Sequence, residues 1–147
     1  MSVTLTRGVV DAIRAHGEQG YPHEVCGLLL GHAADRSATE TFPLENERVD
    51  SRHNRYSVSG DSMFRAERHA AKSGLDVVGY YHSHPNAPAR PSGYDLDHAT
   101  WPGLSYPIVS VVDGKVADLR SWTLADDRSE FVEEEIVGAA GDEEKEN

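Results

Sequence analysis

The stretch LDVVGYYHSHP, residues 75–85, constrains this chain more than any other. Its valines and tyrosines read as a strand, and Pro85 stops that strand and turns the chain. His82 and His84 are two apart, and side chains alternate faces along a strand, so both imidazoles point the same way. A fold for this sequence therefore has to place two neighbouring imidazoles on one face of a sheet. It also has to let the proline-bearing loop NAPARPSG, residues 86–93, fold back toward them.

The rest of the 147 residues supplies a mixed set of elements. Residues 3–19 carry Val9, Val10 and Ile13 at helical spacing, with Ala12 or His16 completing the face, and Gly20-Tyr21-Pro22 ends them. VCGLLLG, residues 25–31, is a short apolar run bounded by glycine and reads as a buried strand. Further strands are expected over 39–45 and 53–59. A helix is expected over 61–73, capped by Asp61 or Ser62 and closed at Gly74, and a short one over 93–100, capped by Ser92 and ended by Pro102. YPIVSVV and KVADLRSWTL flank Asp113-Gly114, a strong signal for a two-residue hairpin turn. FVEEEI is a last short strand or helix. Residues 1–136 thus read as one α/β (α+β) domain, and 137–147, charged and without a core pattern, as a disordered tail.

Two imidazoles side by side suit a divalent transition metal, zinc above all. Asp95, three residues after Ser92 at the start of the short helix, completes a three-ligand set of two nitrogens and one oxygen. Catalytic zinc sites keep three protein ligands and leave the fourth position to water. Glu24, at the mouth of the VCGLLLG strand, is the candidate general base, and the Ser92 hydroxyl a candidate donor to a developing oxyanion. Each residue has a plainer reading. Both histidines can be core groups satisfied by backbone, Ser92-x-x-Asp95 matches a capping box, and Glu24 can be a surface carboxylate. Cys26 stands two residues from Glu24, either near the metal or as a small buried hydrophobe, and His98 is either a supporting contact or a surface residue. His16, His23, His32, His53 and His69 read as surface residues. Tyr80, Tyr81 and Trp101 line a peptide groove or pack in the core.

Glu24, His82-Ser83-His84-Pro85, Ser92 and Asp95, set in EVCGLLLG and VVGYYHSHP, together resemble the motif of the JAMM (MPN+) metalloprotease family, and the resemblance runs over residues 3–125. It implies a curved, mostly antiparallel sheet between helices, similar to the cytidine deaminase architecture. It further implies one zinc per chain on His82, His84 and Asp95, with water activated by Glu24. The bond cut would be an amide or isopeptide at the C-terminal glycines of a ubiquitin-like or sulfur-carrier protein. The compact length resembles the prokaryotic branch, and an extended glycine tail would bind by strand addition.

Other classes fit less well. A formal net charge of -11 disfavours nucleic acid and anionic lipid as partners. One cysteine excludes an internal disulfide, a zinc site of several thiolates and the two-cysteine signature of zinc deaminases. MSVTLTRG lacks a basic stretch followed by an apolar core, and no apolar run approaches the ~20 residues of a membrane span, so a cytoplasmic location is expected. The alternatives are a non-catalytic interaction module of the same fold, or a peptidase of that fold with an unrelated peptide substrate.

Overall fold

The computed structural model describes residues 1–46, 60–99 and 101–138, without the side chain of His98. The expected strand over 53–59, His53 and the tail from 139 onward lie outside the described residues.

In chain order the elements are β1 (Ser2–Leu5), α1 (Arg7–Gly20), β2 (Cys26–His32), a single 3₁₀ turn (Ala33–Asp35), β3 (Ser37–Leu44), α2 (Gly60–Ser73), β4 (Asp76–Pro85), α3 (Gly93–His98), β5 (Ser105–Val112), β6 (Lys115–Leu124) and β7 (Phe131–Val137). The strands are ordered β1-β3-β2-β4-β5-β6-β7, and β7 returns to β1, so the sheet closes into a barrel. The expected curved sheet is thus a ring. Pairs β2/β3, β2/β4, β5/β6 and β6/β7 are antiparallel, whereas β1/β3, β1/β7 and β4/β5 are parallel.

The helix expected over 3–19 begins later. Ser2–Leu5 alternates half-buried and buried residues as a strand, and Thr6 then caps α1 by accepting a hydrogen bond from the Val9 N–H at 3.2 Å. Val9, Ile13 and Gly17 form the buried face of α1, which packs on β3, β4, β5 and β6. A side chain at Gly17 would press within 3.1 Å of Val109 and Val111, so the missing Cβ sets how closely α1 approaches β5. On α2 the buried positions are Ser62, Ala66 and Ala70, small residues that bring it onto β3 and β4.

β2 and β4 are neighbours in the ring and are buried along most of their length. Leu29, Val78 and Tyr81 join the cluster under α1, while Cys26, Leu28, Leu30 and Tyr80 join the one under α2. The hairpin at Asp113-Gly114 forms as expected, with positive φ at both residues, 52° and 86°. FVEEEI resolves as a strand because it finds partners on both sides, β6 and β1.

Candidate metal centre

β4 ends in a set of buried polar groups. His82 and His84 stand on the same face, as their spacing requires, with their Nε2 atoms 3.1 Å apart. Asp95 enters from the first turn of α3 and lies between them: Oδ2 is 3.0 Å from His84 Nε2, and Oδ1 is 3.2 Å from His82 Nε2. All three are buried. Ser92 and Asp95 also form the full capping box. The Asp95 N–H donates to Ser92 Oγ at 3.1 Å and the Ser92 N–H to Asp95 Oδ2 at 2.9 Å. The capping and site roles of these residues therefore coexist, because the cap aims the carboxylate at the histidines.

The loop between His84 and Ser92 is held at successive carbonyls by three different strands. Ser110 Oγ of β5 donates to the Ala87 oxygen at 2.6 Å, His84 Nδ1 of β4 lies 2.8 Å from that of Pro88, and Trp122 Nε1 of β6 donates to that of Ala89 at 3.1 Å. Asn86 makes the turn out of β4 at φ 54°, its N–H bonded to the Val111 carbonyl at 2.7 Å.

Ser83 faces away from the two histidines it separates. It locks β2 alongside: the Val25 N–H donates to Ser83 Oγ at 2.9 Å, and the Ser83 N–H to the Val25 carbonyl at 3.0 Å. Asn46 Nδ2 fixes the Glu24 carbonyl at 2.8 Å. Glu24 is buried to within 6% of its surface and opens, with His84, Ser92 and the loop from Pro85 to Pro91, onto a cleft of about 310 Å³.

The electrostatics follow from burial and proximity. Burial holds His82 below its ordinary pKa, and the Asp95 carboxylate offsets this only in part. Burial also pulls His84 down, but the bonds to Asp95 and Pro88 and the charges of Asp95 and Glu24 leave it raised. Burial alone would raise Asp95, yet the two imidazoles and the Ser92 N–H hold its carboxyl far below the usual carboxylate range.

This donor set fits a tetrahedral metal. A carbonyl oxygen can only accept, so the Pro88 contact places a proton on His84 Nδ1 and leaves Nε2 as a lone pair toward His82 and Asp95 in the neutral ring. Bonds of about 2.0–2.1 Å would space ligands about 3.3–3.4 Å apart in a tetrahedron. The observed 3.0–3.2 Å separations lie close to that spacing. His82, His84 and Asp95 are the one group of this kind among the described residues.

The structure also places the other candidate residues. Cys26 is fully buried opposite His82 in the β2/β4 register, and burial pushes its thiol up to about 12, so it behaves as a small core residue. His16 is not a plain surface residue, since its Nδ1 is 2.7 Å from the Tyr81 hydroxyl and the two rings meet edge to face. His69 pairs with Glu40, whereas His23 and His32 are exposed. Tyr81 is core, and Tyr80, also a core residue, lines with the exposed Trp101 a second groove of about 180 Å³ beside α2. Ser83, Asn46, Ser110 and Trp122 escaped sequence reasoning. Only Ser83 had a local signal, its place between two histidines on an alternating strand.

A JAMM-type centre on a strand-and-helix frame of this kind defines a class of peptidase. Residues 6–125 match the family of prokaryotic homologs of the JAB domain, and the chain belongs to that family, the compact prokaryotic branch of the JAMM hydrolases. It is 33% identical over 125 residues to the desampylase of Haloferax volcanii, spanning 82% of this chain and 88% of that one. It is 31% identical over 125 residues to the CysO-cysteine peptidase of Mycobacterium tuberculosis, spanning 84% of each. A solution structure of a Salinibacter ruber protein superposes with a TM-score of 0.75 at 46% identity, covering 92% of this chain and 91% of that one. Among the described residues no helix is long and apolar enough to cross a membrane.

Proposed function

We propose that this chain binds one zinc ion through His82, His84 and Asp95 and hydrolyses the amide bond that joins an adduct to the C-terminal glycine of a ubiquitin-like or sulfur-carrier protein. The observation that carries the reading is the convergence of three buried donors at 3.0–3.2 Å beside a cleft that also contains Glu24. The names of the relatives, one acting on a CysO–cysteine adduct and one a desampylase, support a carrier-type substrate.

When bound, zinc supplies a Lewis acid that brings the pKa of a water toward roughly 7. The chain's residues do the rest. Glu24, held by Asn46 and by the Ser83 clamp, takes the proton from the attacking water and delivers it to the departing amine nitrogen. Ser92 Oγ already accepts from the Asp95 N–H, so its own proton is available to the carbonyl oxygen as negative charge develops there. The Pro88 carbonyl keeps His84 in one tautomer, and burial of the triad excludes bulk water behind it.

The first test is metal content in freshly purified wild type and in His84→Ala, followed by carrier-adduct cleavage. About one zinc per chain in wild type and almost none in the variant is expected. Absence of zinc from wild type after supplementation would reject the enzyme reading in favour of a non-catalytic module.

A further inference from the structure

We propose that Arg90 receives the free α-carboxylate of a single amino acid attached to the carrier's terminal glycine, which makes that adduct, rather than a lysine side chain within another protein, the preferred leaving group. The inference rests on the function proposed above and names its substrate class.

Arg90 lines the same cleft as Glu24, His84 and Ser92 and is the one arginine or lysine that does so among the described residues. It is exposed and makes no hydrogen bond or ion pair with a described residue. Arg7, Arg36, Arg65 and Arg120 reach carboxylates; of the described arginines that reach none, Arg14, Arg68, Arg90 and Arg128, Arg90 alone lines the cleft. Its backbone is nonetheless fixed. The three residues before it have their carbonyls bound by Ser110, His84 and Trp122, and Pro91 follows, which restricts residue 90 to extended conformations. An unpaired guanidinium carried on an anchored backbone and lining a reaction cleft is available to an anion that arrives with the substrate.

The substrate offers few anions there. Terminal glycines on the acyl side carry no side chain and no charge near the bond. In a lysine isopeptide the departing nitrogen ends an uncharged chain of four methylenes. In an amino-acid adduct the α-carboxylate stands one carbon from the scissile nitrogen. A guanidinium matches a carboxylate with two parallel N–H donors, so only this last leaving group uses what Arg90 provides. Hydrolysis adds water across the C–N bond, returning a glycine carboxylate to the carrier and an amine to the freed amino acid.

The test uses acetyl-Gly-Gly-Ala and acetyl-Gly-Gly-alaninamide, which contain no thiol to compete for metal. Each is titrated by NMR into zinc-loaded Glu24→Gln protein, in which the peptides survive. The acid is expected to bind about five- to tenfold tighter than the amide. Arg90→Gln in the same background should erase the difference, Arg90→Lys should keep part of it, and melting temperatures should not move. A difference that survives Arg90→Gln would mean that another group receives the carboxylate and would overturn the proposal. Equal binding of acid and amide by the Arg90 protein would overturn the role of Arg90 alone. Failure of both peptides to bind would overturn the glycine-tail substrate and this inference together.

Discussion

Glu24 and Ser92 face one cleft with different duties, and substitution separates them. Glu24→Gln keeps the shape and the three metal-binding residues, so zinc content should hold at about one per chain while turnover falls by roughly 10²–10⁴. For Ser92 the capping and catalytic contributions need separate readouts. Ser92→Ala removes the cap of α3, about 1 kcal/mol, whereas glycine at an N-cap costs only a few tenths. If the hydroxyl serves the oxyanion, Ser92→Gly should lose roughly 10²-fold in kcat with its melting temperature almost unchanged. A Ser92→Gly enzyme with full kcat would reduce Ser92 to a cap. His16 answers to pH. Burial lowers its pKa in the folded chain, so protons bind the unfolded chain more readily. Its favourable contribution is complete above the unfolded value of about 6.5 and is lost as pH falls through the lower folded value. Urea midpoints of wild type should therefore drop as pH falls below about 6.5, and His16→Gln should flatten that slope.

At the scale of elements, the site depends on β2 and β4 running in one fixed register. Ser83→Ala would leave the Val25 N–H buried without its acceptor, at a cost of about 1–3 kcal/mol. Because Glu24 is the residue before Val25, cleavage should weaken more than zinc binding, and comparing kcat with metal affinity in that variant checks the point. Gly27 matters for the opposite reason. A Cβ there would fall 2.4 Å from the Tyr81 ring, so Gly27→Ala should destabilise by roughly 1–3 kcal/mol in chemical denaturation. These dependencies explain what could be read from the sequence. His82, His84, Ser92 and Asp95 were legible because strand alternation and helix capping are local rules that act within a few residues. The Trp122 and Ser110 anchors lie 33 and 23 residues from the carbonyls they hold, and no local pattern announces them. β1 was absorbed into the following helix because four residues of Ser, Val, Thr and Leu carry too little period to compete with the longer pattern behind them.

The whole molecule is tied together by one arginine. Arg36, at φ 52° between the 3₁₀ turn and β3, donates to the Ser2 carbonyl at 3.0 Å, the Gly103 carbonyl at 2.7 Å, Ser105 Oγ at 2.7 Å and Glu134 Oε1 at 2.6 Å. Ser121 Oγ donates to the other Glu134 oxygen at 2.7 Å. The network joins β1, β5, β6 and β7 where the ring closes, and the Glu134 side chain is fully buried. Glu134→Ala should cost roughly 3 kcal/mol by urea unfolding, since it strands a charge that the surroundings were arranged to neutralise. Wild-type stability in that variant would show the ring to be held by backbone pairing alone. The closure also sets a timetable. Ser2 pairs with Glu135, so the first strand made finds its final neighbour only when the last strand has been translated. A nascent chain carrying the whole candidate catalytic set, from Glu24 to Asp95, therefore waits with β1 open on one side, and a ribosome-bound intermediate ending before Phe131 should remain protease-sensitive.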